Sequence, residues 1–145
     1  MYKHILLPTD GSELSNNAIG HGIALAKAVN AKVTGIMVTT PFHVFATDAE
    51  TLTDTAETYQ RRMTASAAKH LTQVKNAAAA ASVDCIVIHV EHEHPYRAII
   101  DAAIKDGCDL ITMASHGRRG ISAVVLGSET VKVLTHSKIP VLVYR

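Results

Sequence analysis

Short apolar runs alternate with longer stretches of helical periodicity along the whole chain. The first run, 4–7, ends at Pro8, and apolar residues then recur every three or four positions from Leu14 onward. The alternation continues to the last run, 141–144, and predicts the order β-α-β-α-β-α-β-α-β. Right-handed crossovers between parallel strands then form a doubly wound, three-layer α/β/α sandwich around a five-stranded parallel sheet. Because no internal repeat or linker interrupts the pattern, we expect one domain over residues 1–145.

Residues that favour helix ends support the predicted elements. Ser12 can cap the first helix through its hydroxyl, and Ser128 can cap the last one. Pro95 suits a first helical turn, and Gly107 suits a C-terminal stop. The run 85–90 is almost continuously apolar, which predicts a strand covered on both faces. The apolar faces of the last two helices are predicted at Ile99, Ile100, Ala103 and Ile104, and at Val131 and Leu134.

Composition narrows the possible functions. Of 145 residues, 48% are hydrophobic and only 4% are aromatic, so the core must rest on aliphatic side chains. The formal net charge of +1 argues against a protein that coats nucleic acid or an anionic membrane. No apolar run is long enough to span a membrane, and the first run is too short for a signal sequence. Cys85 and Cys108 lack CxxC or metal-ligand spacing, so we expect free thiols in a cytoplasmic protein.

Two long connections follow predicted strands and therefore lie at the carboxyl edge of the sheet, where open α/β sheets bind ligands. One of them, 40–54, contains Phe42 and Phe45 and either covers a ligand or roofs the core. The other contains the glycine-rich segment 115–120 and leads to Gly127-Ser128. Glycines let backbone N–H groups approach an anion, and a helix N-terminus adds partial positive charge. The segment is either a phosphate cradle or a surface loop with turn glycines.

Four segments resemble the universal stress protein family: 5–12 (ILLPTDGS), 109–117 (DLITMASHG), 127–128 (GS) and 137–143 (SKIPVLV). The resemblance runs from residue 3 to residue 145 and implies a flavodoxin-like or adenine-nucleotide-hydrolase-like topology with strand order 3-2-1-4-5. The nucleotide-binding branch of the family carries Gly, two residues, Gly, nine residues, Gly and then Ser or Thr. Gly117 and Gly127-Ser128 match this spacing, whereas Ala114 stands at the position of the first glycine.

The resemblance implies that this edge binds ATP, with Mg²⁺ associated with Asp10. Around the nucleoside it implies Pro8, Thr9 and Asp10, with Val38 at the adenine edge and Met113 and Ala114 beside the ribose. Around the phosphates it implies Gly117, Gly127, Ser128, Glu129 and Thr130, together with His116, Arg118 and Gly120 of the glycine-rich loop. A Glu129 carboxylate that pointed inward would repel phosphate. Asp10 before Gly11 also suits a turn or cap, and Arg118 and Arg119 also suit a solvated loop.

A cluster of histidines and glutamates after the third predicted strand raises a metal hypothesis. His92 and His94 share one side of an extended segment, but two ligands do not make a site. A cap before Pro95 is the simpler role for His94. The chain has no Walker lysine motif, GxSxG elbow or phospho-receiver set, so no catalytic residue is predicted and any ATP hydrolysis is expected to be slow.

Three functions remain open at this point. The first is a nucleotide-dependent stress-response regulator whose bound state a downstream protein partner recognises. The second is a nucleotide-independent dimeric adaptor, and the third is a very slow ATPase. The last strand is apolar and lies at a predicted sheet edge, where exposed strands pair unless they are protected. The resemblance also implies a homodimer through this strand, formed by Val141, Leu142, Val143 and Tyr144.

Overall fold

The predicted alternation of strands and helices is present in a computed structural model, which describes residues 1–42, 55–117 and 125–145. The strands are β1 (His4–Pro8), β2 (Lys32–Thr39), β3 (Cys85–Glu91), β4 (Leu110–Ala114) and β5 (Val141–Tyr144). The helices are α1 (Glu13–Val29), α2 (Ala56–Ala80), α3 (Pro95–Lys105) and α4 (Ser128–His136).

The strands form one parallel sheet in the order β3-β2-β1-β4-β5, so the strand order expected from the resemblance is confirmed. The central strand β1 pairs with β2 and β4, with Ile5 opposite both Val33 and Leu110. Alternate residues of β1 face opposite layers because side chains of a strand alternate. Ile5 and Leu7 pack against α1 and α2, whereas Leu6 packs against α3 and α4. Both faces of the centre of the sheet are therefore buried under helices.

Several predicted helix ends are confirmed and one is wrong. The side chain of Ser12 accepts a hydrogen bond from the Ser15 N–H and caps α1, and Pro95 opens α3. Gly107, with a φ of +68°, follows α3 directly. Ser128 is not the cap of α4, since that position belongs to Gly127 and Ser128 is already helical.

The strand β3 is not covered on both faces, so that prediction is wrong. It lies at one edge of the sheet, where β2 is its only partner within the described residues. Ile86 is 53% exposed, and buried or half-buried positions alternate with exposed ones along most of the strand. An apolar run thus does not distinguish a central strand from an edge strand.

The predicted apolar faces of the last two helices are also partly wrong. Ile104 is 65% exposed, because α3 turns Ala98, Ala102 and Ala103 toward the sheet beside Ile99. Val131 and Leu134 are exposed as well, and Val133 is the apolar side chain of α4 that reaches the core.

The thiol prediction is confirmed, since both cysteines are free. Cys108 is buried, and burial raises the pKa of its thiol to about 12. Among the helices that the structure describes, none has both the length and the hydropathy needed to cross a membrane.

Candidate functional site

The carboxyl ends of β1 and β4 meet two loops at one edge of the sheet. Thr9 leaves β1 with its N–H bonded to the carbonyl of Ile36 at 2.9 Å. Ser115 leaves β4, and its carbonyl accepts the N–H of Gly127 at 2.7 Å. The described site residues therefore gather at this edge: Pro8, Thr9, Asp10, Val38, Met113, Ala114, His116, Gly117, Gly127, Ser128, Glu129 and Thr130. Arg118, Arg119, Gly120 and Phe45 lie outside the described residues.

The turn between β1 and α1 is held by its own hydroxyl and carboxyl groups. Thr9 Oγ1 accepts hydrogen bonds from the Gly11 N–H at 3.1 Å and from the Ser15 hydroxyl at 2.9 Å. The Asp10 N–H donates to Ser15 Oγ at 3.3 Å, and Asp10 Oδ1 accepts the Ser12 N–H at 3.0 Å. Asp10 is therefore a turn residue, as one of its two interpretations predicted, and its backbone position is set by the chain itself.

Two glycines bring the loops after β4 close to this turn. A side-chain carbon at Gly117 would overlap the carboxylate of Asp10, so the backbone of Gly117 lies directly against that group. A side-chain carbon at Gly127 would lie 3.0 Å from the Cα of His116. Glycine at these positions is thus explained by close approach of the backbone. The contacts place the start of α4 and the residues after β4 beside Asp10.

A residue on α2 that the sequence analysis did not identify also reaches the turn. A side-chain carbon at Gly11 would overlap the imidazole of His70, so this ring lies on the Gly11 backbone. His70 is half-buried, and its Nδ1 lies 3.3 Å from Oε1 of Gln73. In the sequence, His70 directly precedes the apolar residue Leu71. No local signal distinguishes it from the other polar positions of the helix.

Phe42 belongs to the same side of the molecule. Its ring lies 5.4 Å from the ring of Tyr59 on α2, and the Tyr59 hydroxyl donates to the carbonyl of Thr40 at 2.9 Å. Phe42 therefore packs on α2; the rest of this connection, 43–54, lies outside the described residues, so both interpretations of it stay predictions.

The four described helices differ in how their N-termini are closed. In α1 and α2 the N–H groups are capped by the hydroxyls of Ser12 and Thr55. In α3 the Tyr96 N–H donates to the carboxylate of Glu129 at 2.9 Å. In α4 the N-cap is Gly127, which has no side chain to accept a hydrogen bond. Within the described residues, the N-terminus of α4, where Gly127 lies against His116, is thus the one without a side-chain cap, and a helix N-terminus suits an anion.

The Glu129 carboxylate points away from this N-terminus. Oε2 accepts the Tyr96 N–H, and Oε1 lies 3.1 Å from Nζ of Lys132. Both carboxylate oxygens are therefore bonded, one to α3 and one to Lys132 of the same helix. Only the backbone of Glu129 is left to form part of the α4 N-terminus. Its negative charge is offset by the ammonium group of Lys132.

The residues at the end of β4 are fixed by bonds on both sides. Thr130 Oγ1 donates to the carbonyl of Ala114 at 3.0 Å, and the Ser115 N–H donates to the carbonyl of Tyr144 at 2.7 Å. The Ser115 hydroxyl lies 3.2 Å from Nδ1 of His116. Met113 and Ala114 are buried, so the methyl group at the position of the first motif glycine is accommodated within the fold.

The histidines after β3 are bonded to one another and to β2. The His94 N–H donates to Nδ1 of His92 at 2.8 Å, and Nε2 of His89 lies 2.7 Å from Thr39 Oγ1. His94 is the N-cap residue of α3, but its side chain makes no capping bond, and Glu129 performs that role instead. Over the ranges 1–42, 55–117 and 125–145, no three His, Cys, Asp or Glu side chains are grouped closely enough to hold a metal ion.

The chain is similar to known proteins over its whole length. A sequence model described as the universal stress protein family matches residues 1–145. The chain belongs to this family. Universal stress protein MJ0531 of Methanocaldococcus jannaschii is 32% identical over 147 residues, covering 100% of this chain and 83% of that protein.

Solved structures of the family share the fold. The structure of MJ0577, a universal stress protein of the same organism, has a TM-score of 0.82 at 28% identity and covers 99% of this chain and 95% of its own. A universal stress protein solved in complex with cAMP has a TM-score of 0.71 at 24% identity, covering 99% of this chain and 97% of that chain. The family resemblance and the α/β fold are therefore confirmed.

The chemistry available at the edge is that of binding. The first turn of α4 offers backbone N–H groups and the Ser128 hydroxyl, and Asp10 offers a carboxylate beside Gly117. Donors facing a nearby carboxylate suit a phosphate that carries a divalent cation, because the cation bridges phosphate and carboxylate oxygens. These residues fit a magnesium nucleotide in charge and in donor type.

Proposed function

We propose that this universal stress protein binds ATP with Mg²⁺ at the carboxyl edge of its sheet and acts as a nucleotide-dependent stress-response regulator. The observation that carries the proposal is the N-terminus of α4, which has no side-chain cap among the described residues and lies next to the close backbone approaches at Gly117 and Gly127. An anion at this position would take the place of the missing cap. The cAMP complex of another family member supports adenine as the base.

Each part of the edge has a role in this proposal. Asp10 holds the magnesium ion or the ribose hydroxyls, and the first turn of α4 binds the phosphates with Gly117. Val38 contacts the adenine through its backbone at the end of β2, and Met113 and Ala114 flank the ribose. The magnesium ion neutralises phosphate charge when it is bound. Arg118 and Gly120 complete the phosphate loop.

The protein acts by binding more than by catalysis. Asp10 Oδ1 already accepts the Ser12 N–H, and the same carboxylate lies against Gly117, so it is poorly placed to activate a water molecule. Any ATP hydrolysis is therefore slow, and a downstream protein partner recognises the bound state in the cytoplasm. A weak ATPase remains testable, since phosphate release abolished by Asp10→Ala would establish it.

The experiment is a calorimetric titration with Mg·ATP of the wild-type protein and of two variants at the α4 cap. Gly127→Asp places a carboxylate where the phosphate would bind; Asp is a favourable N-cap residue, and its added side-chain carbon would lie 3.0 Å from the Cα of His116. Gly127→Asn is the matched control, because it has nearly the same size and contacts His116 in the same way without the charge. We expect the Asp variant to lose at least about tenfold more affinity than the Asn variant.

Wild-type protein that fails to bind Mg·ATP at millimolar concentration would contradict the proposal. Equal affinities for the Asp and Asn variants would mean that the phosphates lie elsewhere. Circular dichroism of both variants verifies that the fold is retained.

A nucleotide-independent dimeric adaptor is the second candidate, and one observation favours it. The hydroxyl of Thr130 is already bonded to the carbonyl of Ala114, so it is less available to a phosphate. Acid extraction of the purified protein separates the two candidates, since adenine nucleotide in the extract supports the first and its absence supports the second.

The homodimer is part of both candidates. β5 is an edge strand, and Leu142 on β5 is exposed together with Val131 and Leu134 on α4. Edge pairing of two copies through β5 would complete the unsatisfied strand edge and cover this apolar surface. Light scattering at micromolar concentration should give the mass of a dimer, and Leu142→Asp should give that of a monomer. A monomeric wild-type protein would contradict the pairing.

A further inference from the structure

A cleft on the helical face formed by α3 and α4 carries an unusual concentration of basic and aromatic side chains. It has a volume of about 320 Å³ and is lined by Tyr96, Arg97, Ile100, Asp101 and His136; we call it the Tyr96 cleft. This volume is sufficient for one or two side chains of a peptide.

Tyr96 is surrounded by three basic groups. The Arg97 Nε–H donates to the Tyr96 hydroxyl oxygen at 2.9 Å, and the guanidinium carbon lies 5.7 Å from the ring centroid. Lys132 Nζ lies 5.6 Å from the same centroid, and the ring of His136 lies at 5.1 Å. The bond to Tyr96 restrains the guanidinium, so part of the entropic cost of ordering Arg97 is already met before a ligand arrives.

The basic groups differ in whether they already have a carboxylate partner. Lys132 is paired with the Glu129 carboxylate at 3.1 Å. Arg97 has no carboxylate partner within residues 1–42, 55–117 and 125–145, and its bond to Tyr96 uses only Nε. The two terminal nitrogens of the guanidinium therefore remain available to an anion, and this is the face that binds a carboxylate with two parallel hydrogen bonds.

His136 adds a second available nitrogen. Its Nδ1 lies 2.8 Å from the carbonyl of Lys132, and a carbonyl only accepts, so Nδ1 carries the hydrogen. The other ring nitrogen, Nε2, has no hydrogen-bond partner among the described residues. Ile100 contributes the apolar part of the lining.

We propose that the Tyr96 cleft binds an acidic side chain from a peptide segment of a partner protein. The carboxylate lies on the guanidinium of Arg97, and the aliphatic carbons of the segment lie over Tyr96 and Ile100. Arginine and tyrosine are among the residue types enriched at the positions that contribute most to protein–protein binding energy.

Charge argues for a peptide carboxylate and against a nucleic-acid backbone. Asp101 lines the cleft and Glu129 lies behind it, so the local charge is close to balanced. A polyphosphate would meet these carboxylates, whereas a single carboxylate needs only the free face of Arg97. The cleft does not involve the proposed nucleotide, so the binding is tested on nucleotide-free protein, and its failure leaves the proposed function untouched.

The test is a titration of ¹⁵N-labelled full-length protein with the peptide acetyl-Gly-Glu-Leu-Glu-Gly-amide, followed by the backbone amide shifts. We expect saturable shifts at the amides of Tyr96, Arg97, Ile100, Lys132 and His136. The same peptide with Gln in place of both Glu residues should leave these amides unchanged.

Matched variants distinguish binding at the Tyr96 cleft from a general effect of positive charge on peptide affinity. Arg97→Gln should weaken binding at least about tenfold, and Tyr96→Phe, which keeps the ring but removes the oxygen that restrains Arg97, about threefold. Lys105→Gln removes a positive charge from the other end of the same helix and should change the affinity less than about twofold.

Three results would overturn the proposal. They are equal losses in Arg97→Gln and Lys105→Gln, equal binding of the Gln peptide, and shifts at the cleft with inorganic phosphate while the acidic peptide produces none. Native spectra of both variants show that a loss of binding is not a loss of folding.

Discussion

The amino and carboxyl edges of the sheet each carry an aspartate, and the two carboxylates have different hydrogen-bond partners. Asp109 precedes β4 at the amino edge. Its Oδ1 accepts the N–H of His4 at 3.0 Å, and its two oxygens accept the N–H of Lys3 at 3.1 and 2.8 Å. Burial raises the pKa of Asp109, but the hydrogen bonds from His4 and Lys3 outweigh it and the pKa lies below its usual value.

Asp10 follows β1 at the carboxyl edge. One oxygen accepts the Ser12 N–H, and the carboxylate lies against the backbone of Gly117. In this fold helices begin at the carboxyl edge and end at the amino edge. N–H groups are therefore plentiful around Asp10, whereas Asp109 must take its donors from the start of a neighbouring strand. The comparison teaches that a carboxylate at the amino edge holds two strands together through backbone hydrogen bonds. A carboxylate at the carboxyl edge, where helices begin, can instead bind a ligand.

Removing the Asp109 carboxylate should have the largest effect on stability. Asp109→Ala leaves the N–H groups of Lys3 and His4 without their acceptor, so the free energy of unfolding in urea should fall by about 2 kcal/mol. Asp84→Ala is the matched control, because Asp84 is an exposed residue directly before β3, and it should change stability by less than about 0.5 kcal/mol. Similar losses in both variants would contradict the role given to Asp109.

Removing the charge of Asp10 should affect binding more than folding. Asp10→Asn keeps an oxygen for the Ser12 N–H, so the free energy of unfolding should change by less than about 0.5 kcal/mol. The affinity for Mg·ATP should fall about tenfold, or about 1.4 kcal/mol. A variant that binds Mg·ATP as tightly as the wild type would remove Asp10 from the ligand site.

The amino edge should also be the acid-sensitive one, with a smaller effect. His4 is buried, with Nε2 2.7 Å from Thr34 Oγ1 and with no hydrogen bond to Nδ1 from the described residues. Burial and then Lys32 lower its pKa, and Asp106 and Asp109 only partly oppose this. The unfolded chain therefore binds a proton at His4 more readily than the folded protein does.

Stability should consequently decline as the pH falls below the ordinary histidine pKa of about 6.5 and through the lower value of the folded state. A second decline, from Asp109, should appear only below its usual pKa of 3.8. His4→Gln can still bond Thr34 but does not titrate, so urea denaturation between pH 7 and pH 5 should show a weaker pH dependence. An unchanged slope in this variant would assign the first decline to another histidine.

The smallest effect on nucleotide affinity should come from Glu129, although it lies in the first turn of α4. Its carboxylate is bonded to Tyr96 and Lys132, so Glu129→Gln should change the affinity for Mg·ATP by less than about threefold. Glu13→Gln, in the exposed first turn of α1, is the control. A tenfold gain in affinity would show that the carboxylate turns inward when the nucleotide binds.

Much of the fold was predictable because its signals are local. The periodicity of apolar residues located the helices and strands, and Ser12, Pro95 and Gly107 marked helix ends as observed. The predictions that failed depend on neighbours that the local pattern does not contain. β3 is apolar but lies at an edge, and Ile104 continues an apolar spacing but is turned to solvent.

The residues of the candidate site also divide into those that local signals predicted and those that they did not. The motif spacing located Gly117 and Gly127, and the strand ends located Asp10 and Met113 on the same edge. Contacts between segments that are far apart in the chain were not predicted, because such contacts leave no local signal at either residue. The imidazole of His70 on Gly11 is one such contact.

The sequence by itself therefore determined the alternation of elements, the family and the edge at which its motifs gather, since each rests on short-range periodicity or spacing. Tertiary structure alone decided which way Glu129 points, because its partner is the N-terminus of another helix. It also decided that α4, unlike α1, α2 and α3, begins with no side-chain cap from the part of the chain that the structure describes. A hydrogen-bond acceptor supplied from elsewhere in the chain cannot be located until the fold brings it to the helix end.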